Sequence, residues 1–225
     1  MTDKVAITVK RSKRKTASIY IERDGALTVL VPQNTTNDEV DAILKANEYR
    51  ISKIQAKRVV LNEKAVKREP VNGQSYLYLG RNYYLQFSPK VKTIELKGRY
   101  LYAPAGSSKK IHSLLRSFYQ ERGKDFLSPR VMKYAEMVGQ HIGQVSVLEL
   151  KNRWASCSVK RPKVNFHWKI MMAPVSVINY LIVHEVAHFK HKRHNAEFWN
   201  TVDKMMPDCQ KQITWLKQYG ASLEI

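Results

Sequence analysis

The stretch Val183-His184-Glu185-Val186-Ala187-His188 decides how this chain reads. Two histidines four residues apart on an α-helix project about one turn apart on the same face, so both imidazoles can reach one ion. Glu185 follows the first histidine and is offset from it by roughly 100° around the axis. That offset suits it to take a proton from a water at the ion without binding the ion itself. The preceding Val177, Ile178, Leu181, Ile182 and Val183 have the spacing of a buried helix, and predict one from Val175 to Lys190.

Four of the seven histidines fall between positions 184 and 194, which leaves His191 and His194 to compete as third ligand. On a helix that simply continued, His191 would lie within about 20° of His184, and His194 some 80° away. The run also fits the metzincin spacing H-E-x-x-H-x-x-G-x-x-H, in which the chain bends back to present the last histidine. His184, His188 and His194 match it, with His191 at the glycine position, where a bend can demand a left-handed residue. Asn195 is a plausible N-cap for a following helix and puts His194 in the connecting corner. His194 is the preferred third ligand, and His191 then belongs to the basic turn Lys190-His191-Lys192-Arg193.

Outward from this centre the pattern changes. Val5-Ile7-Val9, Ile19-Ile21 and Leu27-Val29-Val31 alternate as strands do, with Lys10–Lys15 as a basic hairpin tip and Asp24-Gly25 as turn chemistry. Thr36 or Asn37 can cap a helix carrying Val40, Ile43, Leu44, Ile51 and Ile54 on one face. Short tyrosine-rich runs between Tyr76 and Tyr102 predict an antiparallel meander. Pro104-Ala105-Gly106-Ser107-Ser108 marks a change of period and is the expected boundary between residues 1–104 and 105–225. Beyond it come two helical stretches, around Ile111–Tyr119 and Val131–Val138, and strands at Val145–Leu150 and Val164–Trp168. The expected class is α+β: a β-rich N-terminal part with one long helix, then a catalytic part built on the H-E-x-x-H helix.

Arg153-Trp154-Ala155-Ser156-Cys157-Ser158, Val164-Asn165-Phe166-His167-Trp168, Met172-Ala173-Pro174, the H-E-x-x-H run, His194 and Phe198-Trp199 occur in that order. Together they make the chain resemble the YgjP-like metallopeptidase family, relatives of the SprT-like zinc proteases, strongly over residues 108–225. The resemblance implies a small zincin-like domain that binds Zn2+ through His184, His188 and His194, with Glu185 as general base. Ala155 departs from it, standing where the family usually has glycine.

Supporting residues read two ways. Arg153 can stabilise a developing oxyanion or hold a carboxylate. Cys157 reads as a small core thiol rather than a ligand or nucleophile. His167 can approach the cleft from its strand or pack away from it, and His191 can contact substrate.

Composition bounds the rest. No apolar run approaches the roughly 18 residues of a membrane span. The two cysteines, far apart, suit a reducing compartment, and no apolar leader core follows Met1, so the expected location is the cytoplasm. The formal net charge of +20, from 39 Lys+Arg against 19 Asp+Glu, favours polyanions and makes nucleic-acid or nucleotide contact a second expectation beside a peptide or protein substrate. Three function classes follow: a zinc metallopeptidase, a metal-dependent nucleotide or phosphoester hydrolase, and a DNA-associated module whose zinc is structural or vestigial. The open arrangement of three histidines beside a glutamate favours the first.

Overall fold

The computed structural model describes residues 7–21, 26–52, 54, 68–150 and 153–225, so Val5 and the Asp24-Gly25 turn lie outside it. The chain forms two compact units, Met1–Ala65 and Val66–Ile225.

In the first unit, strands β1 (Ile7–Ser12) and β2 (Ser18–Ile21) flank β3 (Leu27–Pro32), parallel and antiparallel to it respectively. The basic link Lys10–Lys15 therefore does not tip a hairpin, because β1 and β2 do not pair with each other. Physically, β3 claims the centre because Leu27, Val29 and Val31 are buried at every second position. Val29 and Val31 pack with Val40 of helix α1 (Asn37–Ala46). Thr36 caps α1: its hydroxyl accepts from the Glu39 N–H at 3.2 Å, while the Thr36 N–H donates to the Glu39 carboxylate at 2.8 Å. Arg11 of the basic link donates to the Thr35 carbonyl at 3.0 Å and to Asn37 Oδ1 at 2.6 Å, fastening the same helix end.

The second unit opens with β4 (Ser75–Tyr78), β5 (Arg81–Phe87), β6 (Glu95–Lys97) and β7 (Tyr100–Ala103) in the order β4-β5-β7-β6. This is not a meander: β7 passes β6 and pairs in parallel with β5, in register Leu85 to Leu101. Burial explains the order. Leu85, Leu101 and Ala103 are completely buried and sit on the two central strands, whereas β6 carries Glu95 and Lys97 at the edge. Tyr76, Leu85, Leu101 and Ala103 share one core with Ile111, Leu115 and Phe118 of α2 (Ser108–Met137). The turn at 104–108 consequently lies inside this unit.

Helix α2 is a single helix of 30 residues where two are expected from the pattern. Its buried positions continue through Gly123, Leu127 and Val131, across a stretch whose charged residues disguise the face, and Pro129 forgoes one helical hydrogen bond. It ends at Gly139, whose φ of +64° permits bonds from Gly139 N–H to the Glu136 carbonyl and from Gln140 N–H to the Ala135 carbonyl.

Next comes a small sheet, β8 (Gln144–Leu148), β10 (Lys163–His167) and β9 (Ala155–Ser158), with β10 central. The Ala155–Ser158 part of the Arg153–Ser158 run is thus strand, its Ala155 opposite Phe166. A 3-10 turn, Trp168–Met172, leads into helices α3 (Val175–Ala187), α4 (Ala196–Met205) and α5 (Gln210–Tyr219). The two-residue turn between β4 and β5 braces the entry to α3. Leu79 and Gly80, both with positive φ, donate N–H bonds to the carbonyls of Met171 and Met172 at 2.7 and 3.2 Å. A Cβ on Gly80 would lie 2.9 Å from Pro174 Cα, so the close approach needs glycine. The class is α+β, and among the described residues no helix is long and apolar enough to cross a membrane.

Candidate metal centre

Helix α3 is buried on nearly every side, with Val177, Ile178, Ile182, Val183, Val186 and Ala187 at most 2% exposed. Its polar stripe is Tyr180, His184 and His188, one turn apart each. The helix stops earlier than its apolar pattern suggests: His188 is the C-cap, and the N–H groups of Phe189, Lys190 and His191 bond back to the Val186 and Ala187 carbonyls at 3.0–3.1 Å. The left-handed non-glycine residues among those described are Leu79 and Asp208, so this bend is made without one and His191 needs no glycine-like freedom. Asn195 then caps α4, accepting from Phe198 N–H at 3.1 Å. That cap fixes Phe198 beneath the cluster, its ring centroid 5.1, 4.7 and 4.7 Å from those of His184, His188 and His194.

His184, His188 and His194 converge, with one ligand nitrogen from each lying within 4.8 Å of the others. The donor set fits a zinc-type ion. Nitrogens bound to one tetrahedral zinc at about 2.0–2.1 Å would stand about 3.3 Å apart, and Nε2 of His184 and Nε2 of His194 are 3.1 Å apart. His188 Nδ1–H donates to the His191 carbonyl at 3.0 Å, which leaves Nε2 with its lone pair. Tyr180 Oη lies 3.4 Å from Nδ1 of His184 and plays the corresponding part there. Burial, with smaller contributions from His188 and His194, pushes His184 down to about 4. Burial also lowers His188, against the opposing pull of its bond to His191. Both rings are therefore neutral near pH 7, the form that donates to a metal.

His191 turns its ring elsewhere, with Nε2 3.0 Å from Thr201 Oγ1 and Nδ1 3.8 Å from Glu197. Its carbonyl, not its imidazole, serves the cluster. His167 is fully buried and anchors a separate network. The Lys169 N–H donates to its Nδ1 at 3.1 Å, so Nε2–H donates to Glu149 at 2.9 Å. Trp168 Nε1–H reaches the other Glu149 oxygen at 2.7 Å.

Glu185 is 7% exposed, and burial raises its carboxyl to about 7. A hydrogen bond from the Cys157 thiol and the charge of Arg153 oppose that rise. Cys157 is itself pushed up to about 12, by burial first and then by Glu185, so it stays a thiol and donates. Sequence reasoning leaves this contact out, since nothing local ties strand β9 to helix α3. Tyr180 is missed as well, although its place four residues before His184 on the same face is a signal that points to it.

An α+β fold with three clustered imidazoles, two of them from the helix that also carries a buried carboxylate, is an arrangement suited to metal-dependent hydrolysis. Residues 15–219 match the family described as YgjP-like, metallopeptidase domain, and the chain belongs to that family. Membership implies a metal ion and peptide or protein substrates. No curated protein matches the chain. Among solved structures, the metallopeptidase zymogen of Pyrococcus abyssi abylysin is 21% identical over 40% of this chain and 94% of that one, with a TM-score of 0.36. A likeness that distant carries no structural detail across.

Proposed function

We propose that the chain is a zinc-dependent peptidase whose metal is held by His184, His188 and His194, with Glu185 as general base. The reading is carried by the convergence of three imidazoles beside a buried carboxylate in a member of a metallopeptidase family. When bound, zinc supplies Lewis acidity: it polarises the scissile carbonyl and makes water easier to deprotonate. Glu185 takes the proton as the water oxygen bonds to the carbonyl carbon, then delivers it to the nitrogen as the C–N bond breaks. A carboxyl that burial places near 7 suits both halves of that transfer. The Cys157 thiol holds the carboxylate in place, and the Tyr180 hydroxyl and the His191 carbonyl steady two of the imidazoles.

The test compares hydrolysis of casein-derived peptides with phosphate release from nucleotides, using the zinc-loaded protein and its Glu185→Gln variant. Peptide cleavage that chelation abolishes, and that falls about a hundredfold to ten-thousandfold in the variant with zinc retained, is expected. Phosphate release without peptide cleavage, or an undiminished variant, contradicts the reading.

A further inference from the structure

A cavity of about 810 Å³ lies among α3, α4 and α5, and two of the residues lining it adjoin the candidate metal centre. Tyr180 lines it and places its hydroxyl 3.4 Å from His184. Trp199 lines it with its ring 6.0 Å from that of His194 and 6.2 Å from that of His184. The end of the cavity against Tyr180 and Trp199 is therefore one side chain away from the imidazoles. Ile213, on α5, adds a further apolar wall. We propose that this cavity receives a lysine or arginine side chain of the peptide substrate, with the aliphatic stem along Trp199 and the cationic head at Asp203.

Charge and spacing select that occupant. The chain holds 39 basic against 19 acidic residues, yet Asp203 and Asp208 both line this one cavity. Asp208 is engaged by Lys211 at 2.8 Å, while Asp203 has no ion-pair partner among the described residues. Asp203 follows Trp199 by four positions on α4, so carboxylate and indole share one helix face. A cation paired with Asp203 lays its methylenes against that indole, burying the stem while the head keeps water and a counter-charge. The buried Cys209 thiol registers the sign of the local field: burial raises it first, and Asp203 and Asp208 raise it further. Lys217 also lines the cavity, which makes the rival prediction an acidic side chain.

The identity of the ligand as a peptide rests on the peptidase reading, so the experiment separates the two. Blocked hexapeptides of alanine and glycine, with a single lysine, norleucine or glutamate moved along them, are titrated calorimetrically into full-length, zinc-loaded Glu185→Gln protein. In one register the lysine peptide is expected to bind about tenfold more tightly than its norleucine twin. Asp203→Asn on the same background brings that ratio to near one, and Ile213→Trp weakens both peptides by filling the cavity. Equal affinities in every register, a preference for glutamate, or a lysine preference that survives Asp203→Asn overturns the proposal. The same peptides are offered to the protein with Glu185 intact. Lysine-selective binding without cleavage supports the cavity and sinks the peptidase reading; cleavage with no lysine preference does the reverse.

Discussion

The Cys157 thiol, on the edge strand β9, donates a hydrogen bond to the carboxylate of Glu185 on helix α3. A neutral thiol at this point holds the carboxylate without competing for its proton. Replacing Cys157 by alanine is expected to lower kcat by about threefold to tenfold, the range for losing one ordinary hydrogen bond, since a thiol is a weak donor even to a carboxylate. KM stays unchanged, and Cys157→Ser, which keeps a donor, restores most of the rate. Steady-state kinetics on one peptide decide it; an unaffected alanine variant means that the thiol only fills space.

The β4–β5 turn braces the start of α3 through backbone bonds that require Gly80 to lie against Pro174. Gly80→Ala combines a positive φ with a Cβ 2.9 Å from Pro174 Cα. A loss of about 1–3 kcal/mol in unfolding free energy follows. Denaturant melts of the two proteins measure it, and equal midpoints contradict the bracing role.

Removing His191 and removing His194 have opposite outcomes. His191→Ala loses the Thr201 contact but keeps the carbonyl that accepts from His188, so zinc stoichiometry is unchanged. His194→Ala removes a converging nitrogen and lowers zinc retention at least about tenfold. Metal analysis after dialysis distinguishes them, and the reverse pattern would overturn the ligand assignment.

Glu149 supplies a pH dependence away from the metal. Burial alone would raise its carboxyl, but bonds from Trp168 and His167, with Arg116 nearby, hold it below the ordinary 4.5. A carboxyl lowered by folding contributes stability that is present above its unfolded pKa and lost as pH falls through the folded one. The stability gap between the unaltered chain and Glu149→Gln is therefore constant above about pH 5 and closes as the pH drops below 4.5. Denaturation curves across that range check it; parallel profiles exclude the effect.

Much of this was legible in the chain because the informative features are local. The helix spacing of His184 and His188, the Asn195 cap and the Thr36 cap each depend on residues within four positions of one another. Strand order was not legible, because β3 and β7 reach their places through side-chain burial against distant elements, such as Leu101 over α2. The long α2 was hidden by lysines and arginines that share its surface with Gly123 and Leu127. The contact of Cys157 with Glu185 escaped for the same reason as the strand order: the two lie 28 positions apart in the chain, on different elements.

The most direct test is a crystal structure of the zinc-loaded protein with anomalous data collected at the zinc edge. One peak about 2.0–2.1 Å from a ring nitrogen of each of His184, His188 and His194, with no further side chain on the metal, is the predicted result. A zinc held elsewhere, or one whose remaining position is taken by the Cys157 sulfur or another side chain, would contradict it.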